Sequence, residues 1–486
     1  MKKSATAITL VMINIAAIGS LNNLPSLATA GLSSVSYYLI AVLLFFVPYS
    51  LISAELSSAY TEESGIYVWV KEAFGRQWGF IAIWLQWLEN IFWYPTILSF
   101  IAATLCHFVD PAFASNKTYN LVATLGIYWT LTAANLLGMR ASNLISIIGS
   151  SIGILIPGLI LIIFGLMWFG AGHSTTLSMH WHDLVPDLHG TQNLAFLVGI
   201  AQTLAGLEMS SVHARHVKNP QRAYPLATLI STILVFVLSV FGSLAIAALV
   251  PSHLIDMNDG VAQAIIAFLQ THNNVYVTNL MIALIAIGGM TAASAWISGP
   301  SNGLVQAAED KCIPDSFKKI NSKGVSIPIL VTQGILVSVF CGAFALMPTV
   351  TSAYWLLTAI AGQLYLAMYI LMFAAAIKLR HKKKYHYQIG GIKTTKMIAW
   401  FGAVGCIAFI GIGFIPPATL RISGFSSYYL IQAITFIVML LLPALIFKLT
   451  QKNRVKKLLA AKTLYRNDPI MANNILDANN LGRLTK

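Results

Sequence analysis

The chain has 486 residues, of which 57% are hydrophobic and 9% charged, with a formal net charge of +14 and a mean hydropathy of +0.74. A soluble protein carries roughly 25% charged residues, so this composition excludes a string of soluble domains and points to a polytopic membrane protein. The positive charge falls in alternate loops between apolar segments and not in one basic domain, which excludes nucleic acid as the partner.

The apolar pattern predicts about twelve spans of roughly 20 residues each. They lie near 8–30, 36–57, 78–108, 119–138, 142–169, 193–213, 225–250, 276–305, 327–347, 352–378, 397–415 and 427–449. Met1-Lys2-Lys3 resembles the start of a signal peptide, yet no small-x-small site stands close behind it, so an uncleaved first span is expected. Span 1 is interrupted by Ile18-Gly19-Ser20-Leu21-Asn22-Asn23 and followed by Pro25. Glycine opens backbone conformations closed to other residues. The half-helix after the break presents free N–H groups and a positive dipole end, which suits a carboxylate. A simple kink or close helix contact is the plainer alternative.

Span 2 ends in Glu55, which is read as structural. Span 3 contains Trp84-Leu85-Gln86-Trp87-Leu88-Glu89-Asn90-Ile91-Phe92-Trp93-Tyr94-Pro95. Glu89 is a deep acid, and Asn90, Trp93 and Tyr94 follow within about one turn, so several can face one cavity. Aromatic walls suit an ammonium group or a flat apolar side chain, although tryptophan also anchors spans at the interface. Spans 3 and 8 exceed the bilayer thickness and are expected to tilt.

His173, His180, His182 and His189 crowd the loop before span 6. They can sense pH, but their spacing is not that of a zinc site, and a solvated polar loop explains them as well. Span 6 is interrupted by Leu204-Ala205-Gly206-Leu207-Glu208. An acid inside a span is a functional candidate by default, here for substrate contact or proton exchange, the alternative being a structural acid that caps broken-helix carbonyls. His213 and His216 follow it. Span 8 carries Ser294, Trp296, Ser298, Ser301 and Asn302, which can line a cavity or glue helices together. Span 10 carries Gln363, Tyr365 and Tyr369, and tyrosines four apart share a face suited to a gate. Cys106, Cys312, Cys341 and Cys406 are scattered, and no metal or disulfide follows. The tail from Gln451 is expected to be mostly disordered or surface-bound.

With the N-terminus inside, the outer loops hold only Lys117 and Arg421 among the basic residues, together with Asp110, Asp183, Asp187, Asp256 and Asp259. The densest basic run, Lys378 to Lys384 with Lys393 and Lys396 beyond, falls inside. This asymmetry predicts two cytoplasmic termini. Spans 1 and 6 are separated by an odd number of crossings, so the second repeat is inverted relative to the first. Broken helices at equivalent places in two inverted halves mark the substrate site of LeuT-type transporters.

Two further motifs carry a resemblance. Gly206-Leu207-Glu208-Met209-Ser210-Ser211-Val212-His213 is followed by Asn219-Pro220-Gln221-Arg222-Ala223-Tyr224-Pro225-Leu226. Ala293–Gly303, Tyr365–Tyr369, Ala54-Glu55-Leu56, Glu63-x-Gly65 and Trp69-Val70 accompany it. The chain resembles the amino acid–polyamine–organocation superfamily, and within it the bacterial glutamate/GABA antiporters, over roughly residues 8 to 450. The resemblance implies exchange or proton-coupled uptake of amino acids or their amines, with Glu208 in or beside the central site and the two breaks holding the α-carboxylate and α-amino groups. It departs from the glutamate/GABA pattern at Ala292, where an acid is expected, at Asn302, where a base is expected, and at Glu89, where a neutral polar residue is expected. The shorter tail departs from it too.

The expected protein is all-α, with about twelve transmembrane helices in a 5+5 inverted repeat. The divisions are a cytoplasmic N-terminus (1–7), two five-helix repeats (8–169 and 193–378), two further helices (397–449) and a cytoplasmic tail (450–486). It is expected in a bacterial inner membrane as a monomer or homodimer, without cofactor or metal, acting on small-molecule amino acids or amines. Substrate contacts are assigned to Gly19, Ser20, Leu21, Asn22, Glu89, Trp93, Ala205, Gly206, Glu208, Trp296 and Ser298. Gating is assigned to Tyr94, Tyr365 and Tyr369, and proton coupling to Glu208 and Glu89. No span carries Lys or Arg at its centre, so no fixed cation awaits an acidic side chain, and two deep acids favour a neutral or cationic substrate unless they are protonated. An antiporter is the first reading; a proton-coupled permease and a non-transporting sensor on the same fold are the alternatives. No nucleophile–base or metal constellation sits at membrane depth, which argues against an enzyme.

Overall fold

The computed structural model describes residues 6–464 apart from 61–64, 138, 176, 187–190, 218, 271–273, 382–389 and 417–424. Asp187, His189, the basic residues Lys382 to Lys384 and Arg421 therefore lie outside the described residues, as does the tail beyond Leu464.

The first helix, α1 (Ala7–Ile18), is capped by Thr6, whose hydroxyl accepts the Thr9 N–H at 3.4 Å. After a break comes the short α2 (Leu24–Ala28), with Pro25 in its first turn, where the missing proline N–H costs nothing. Next, α3 (Ser33–Ala41) runs through a π turn at Val42–Phe46 into α4 (Val47–Ala59). Pro48 explains that turn. It has no N–H for the Leu44 carbonyl, and the Val47 N–H reaches back to the Val42 carbonyl instead. The wider turn sets Phe45 against both Tyr49 and Tyr369, with ring centroids 5.4 and 5.3 Å apart.

The short α5 (Ile66–Phe74) is bounded by Gly65 and Gly75, both at positive φ. Beyond it lie α6 (Arg76–Cys106), α7 (Lys117–Leu136) and α8 (Met139–Gly170). At 31 residues, α6 is about 46 Å long, more than a bilayer core, so it must tilt. The second half comprises α9 (Phe196–Leu204), a 3-10 stretch at Leu207–His216, α10 (Pro220–Leu249), α11 (Gly260–Gln270) and α12 (Val275–Glu309). It ends with α13 (Ile327–Cys341), α14 (Ala343–Leu346), α15 (Val350–Leu379), α16 (Ile392–Ile412) and α17 (Phe425–Leu464).

Among the described residues, nine helical stretches are long and apolar enough to cross a membrane. The lipid-facing surface is legible as stripes. On α8, Ile152, Ile156, Leu159, Ile163 and Leu166 are each at least 42% exposed, at alternating spacings of four and three that place them on one face. On α17, Leu430, Ile434, Ile437, Leu441 and Leu445 are likewise exposed, at spacings of four, three, four and four that keep them on one face. Apolar stripes of that extent are stable in hydrocarbon and a liability in water.

Three elements depart from the sequence expectation. Residues read as loop form α5, which buries Ile66, Tyr67, Val68, Trp69 and Val70. Others form α11, which buries Val261, Ala264, Ile265 and Phe268. Both are too short to register as spans, and they exist because one face packs on the bundle. The last span continues well past 449 to Leu464. No proline or glycine interrupts 451–464, and the extension is anchored by Gln451 donating to the Lys311 carbonyl at 2.8 Å and Arg454 to Asp315 at 3.0 Å.

The long α12 packs chiefly on α8 and α6. Its crossing with α8 is a backbone contact. A Cβ added to Gly153 would sit 2.4 Å from the Gly288 Cα, and one added to Gly288 would sit 2.5 Å from the Gly153 carbonyl carbon. Only glycine on both sides allows that approach, as small residues do between membrane helices generally.

Each end of the bundle is tied by charge. At the α5 end, Lys71 meets Asp310 at 2.5 Å, Tyr67 donates to the same carboxylate, and Glu55 pairs with Arg380 at 3.4 Å with both side chains buried. At the α2 end, His107 at the close of α6 lies 2.8 Å from both oxygens of Asp259, just before α11. Burial pushes the Asp259 carboxyl up to about 6, against the pull of His107. A carboxyl raised on folding stabilises the fold below its unfolded value near 4, and that contribution is lost as pH rises through the folded value. Thermal unfolding of wild type and Asp259→Asn in detergent should therefore show a wild-type advantage that shrinks between pH 4 and about pH 6.5. A pH-independent difference would show that Asp259 does not titrate differently on folding.

Candidate functional site

Both interrupted helices break beside one buried chamber. The α1 ladder stops at Gly19, whose N–H donates to the Ile15 carbonyl at 2.7 Å while its backbone turns extended. The chain then runs through Ser20 to Asn23 before α2 begins. The α9 ladder stops at Leu204; Ala205 is extended and Gly206 has φ +125°, a region open to glycine and strained for other residues. A Cβ at Gly206 would meet Trp296 at 3.0 Å and Ile18 at 3.2 Å.

The breaks are tied to each other and to α15. Asn23 Nδ2 donates to Thr203 Oγ1 at 2.5 Å, and the Tyr354 hydroxyl donates to Asn23 Oδ1 at 2.6 Å while accepting from Asn22 Nδ2 at 3.3 Å. Ser20 donates to Asn22 Oδ1. The chamber these residues enclose has a volume of about 30 Å³, and Glu89, Asn90, Trp93, Gln202, Ala205, Trp296 and Tyr365 complete its wall. That volume is about the room one water needs, so the chamber is closed around itself here. A larger hollow of about 840 Å³ lies at the α2 end, lined by Ala28 to Ser33 and by His182, Asp183 and Pro186.

Glu208 is buried one layer beyond the chamber. Its Oε1 accepts from Gln86 Nε2 and from the Tyr365 hydroxyl, each at 2.7 Å. Its Oε2 accepts from the Tyr49 hydroxyl at 2.5 Å and the Tyr369 hydroxyl at 2.9 Å. Four donors from α4, α6 and α15 thus fill the four acceptor positions of a carboxylate. Tyr49 and Tyr369 in turn accept the Gly206 N–H, each at 3.0 Å, and Tyr49 accepts the Glu208 N–H at 3.2 Å. The main chain of the break and the carboxylate are therefore satisfied through the same two phenols. On the other side of Glu208 is a second small hollow of about 40 Å³, bounded by α5, Met209 and the Gly299–Gln306 part of α12.

An aromatic column runs along this axis. Trp93 lies 6.0 Å from Trp296, Trp296 meets Tyr365 edge-on at 6.4 Å, and Tyr365 stacks on Tyr369 at 4.9 Å between ring centroids. Tyr49 closes it, 4.4 Å from Tyr369. Trp296 Nε1 donates to the Ala17 carbonyl at the end of α1, at 3.3 Å.

The residues expected from sequence are therefore divided. Ser20, Asn22, Glu89, Trp93, Ala205 and Trp296 meet at the chamber, with Tyr365 spanning chamber and acid. Gly19 forms the turn, Gly206 and Tyr369 lie beneath it, and Glu208 lines the second hollow rather than the first. Leu21 is buried in the apolar core. Tyr94 packs edge-on to Tyr128 at 5.2 Å and is not part of the chamber wall. The side chain of Ser298 lies outside the described residues, as do those of His213 and His216. Ser294 accepts from Asn135 of α7 at 2.8 Å, a contact between helices. Asn23 lies in the polar break of span 1, and Gln86 lies one turn before Glu89 on the same face; Tyr49, Gln202, Thr203 and Tyr354 carry no such local signal.

The chamber is thus made of two helix breaks and polar side chains set among long apolar helices. The profile of the amino acid permease family matches residues 3–442, and the chain belongs to that family. It is 42% identical over 425 residues to a Legionella pneumophila protein named only as an uncharacterized transporter, covering 87% of this chain and 91% of that one. It is 29% identical over 437 residues to the glutamate/gamma-aminobutyrate antiporter of Lactococcus lactis, covering 88% and 87%. It is 26% identical over 360 residues to a probable agmatine/putrescine antiporter of Lactococcus lactis, covering 73% and 74%.

Two outcomes follow from this geometry. Gly206→Val places a branched side chain at φ +125° and against Trp296, so ligand affinity should fall at least tenfold, corresponding to about 1.4 kcal/mol, while the protein still elutes as a monodisperse species. Unchanged affinity would remove Gly206 from the site. Tyr49→Phe leaves the Glu208 N–H and one carboxylate oxygen each short of a partner, which should cost about 1–3 kcal/mol in denaturant unfolding. Wild-type stability would show that the hydroxyl contributes little.

Proposed function

We propose that this chain is an amino acid antiporter working by alternating access, with twelve membrane helices in two inverted repeats, residues 8–169 and 193–378, and the helices at 397–449 outside them. Membership of the permease family supports this reading, and so do relatives named as antiporters for glutamate/gamma-aminobutyrate and agmatine/putrescine. The charge asymmetry of the loops supports two cytoplasmic termini, which makes the α5 end the inner one. Substrate main-chain groups meet the turns at Gly19–Asn22 and Ala205–Gly206, where the helical ladders are interrupted.

The observation that carries the mechanism is the fourfold acceptance by Glu208 across α4, α6 and α15. While the carboxylate is ionised, every one of its donors is matched. A proton added to it turns one acceptor oxygen into a donor, so at least one of the four partners must rotate away. The layer between the chamber and the inner hollow is then loosened, and one bundle can rock against the rest. Protonation thereby links exchange to pH without a proton having to occupy the substrate's own position.

The test is exchange in proteoliposomes from pH 5 to 8, comparing vesicles preloaded with amino acid against empty ones. Exchange should require preloading, and Glu208→Gln, which keeps the shape but cannot ionise, should vary by less than twofold across that range. Equal uptake into empty vesicles under an inward proton gradient would favour a proton-coupled permease, and no flux with measurable binding would favour a sensor. A wild-type pH profile in Glu208→Gln would make the acid structural.

A further inference from the structure

The two deep acids are treated differently by the fold. Glu208 receives four donors within 2.9 Å. Glu89 is equally buried, at 3% exposure, yet its recorded hydrogen bond is a single amide, Gln202 Nε2, at 3.4 Å, beyond the usual range for such bonds. Its neighbour Asn90 is 1% exposed, spends its Nδ2 on the Gln86 carbonyl at 2.8 Å, and has no partner for Oδ1. Both line the chamber. The nearby nitrogens bond elsewhere and not to Glu89: Asn23 Nδ2 to Thr203, Asn22 Nδ2 to Tyr354, and Trp296 Nε1 to Ala17. Among the described residues of the chamber wall there is no Lys, Arg or His.

A buried carboxylate without donors or a counter-charge is costly, and a fold that satisfies Glu208 so fully has left Glu89 open. We propose that Glu89, with the Asn90 carbonyl beside it, is the specificity-determining subsite for a cationic side chain, so that this protein takes basic α-amino acids in preference to neutral or acidic ones. The inference rests on the chamber being the transport site. Charge balance supports it: a zwitterion brings equal and opposite charges and leaves Glu89 uncompensated, whereas a ligand of net charge +1 cancels it. The indoles of Trp93 and Trp296 supply faces that attract a cation. Trp93 stands four residues after Glu89, on the same face of α6. An acidic side chain would meet a like charge at Glu89 and the unpartnered Asn90 Oδ1 acceptor.

The full-length protein in detergent is titrated calorimetrically at pH 7 with lysine, arginine, norleucine and glutamate. Norleucine has nearly the length of lysine without the charge. Wild type should bind lysine or arginine at least tenfold more tightly than norleucine, and glutamate more weakly still. Glu89→Gln should bring the lysine-to-norleucine ratio below threefold while norleucine binding is kept, which also shows that the variant folds. Glu89→Asp should retain part of the preference. A wild-type preference for norleucine or glutamate, an unchanged ratio in Glu89→Gln, an equal loss for lysine and norleucine, or no binding of any of the four would overturn the proposal. Lysine-preloaded proteoliposomes separate the two readings. Selective binding without flux keeps the subsite and removes the transporter, whereas exchange of neutral amino acids alone keeps the transporter and removes the subsite.

Discussion

An acid held at membrane depth must find its hydrogen-bond partners inside the protein, because lipid offers none. Glu208 meets that requirement with three tyrosines and a glutamine drawn from α4, α6 and α15. The same two phenols that hold its Oε2 also accept the main-chain N–H groups of the α9 break. Removing the acid would leave those hydroxyls without acceptors, and removing the phenols would leave both acid and backbone unsatisfied. The break, the packing of the three helices around it and the closed wall beneath the chamber thus depend on one carboxylate.

Above that layer the chemistry changes. The chamber is walled by two tryptophans, a tyrosine and amides, and its acid is not saturated. The contrast matters because both acids lie in the same axis of the molecule, linked by the α6 turn that carries Gln86 to one and Glu89 to the other. Tyr365 belongs to both levels, with its ring in the chamber wall and its hydroxyl on Glu208. Under the proposed function, a ligand against that ring would contact the acid beneath it through this one side chain.

The scaffold around the site is held by features that leave little slack. Gly153 and Gly288 bring α8 and α12 into backbone contact, Pro48 opens the π turn that aims Phe45 and Tyr49 at Tyr369, and ion pairs close both ends. The short helices α5 and α11 each bury one face against the bundle. Membership of the amino acid permease family accords with this arrangement, in which a small polar site is enclosed by long helices.

By itself the sequence determined the class of protein, the approximate place of its long apolar segments, both helix breaks and the two deep acids. Those features are local: a run of apolar residues, a glycine amid polar neighbours, a glutamate inside an apolar segment. They also led to Trp93, Trp296 and the Tyr365–Tyr369 pair, which helical spacing puts on shared faces. Only the tertiary structure decided which acid is saturated and which faces the chamber, that Tyr94 turns to Tyr128 instead, and that Leu21 belongs to the core. Nor could pattern show Tyr49, Gln202, Thr203 or Tyr354, because their partners are remote along the chain, up to 332 residues away for Tyr354 and Asn22. Hydropathy and periodicity report what a segment does within its own few turns. Saturation of a buried charge is a sum over helices that meet only when the bundle closes.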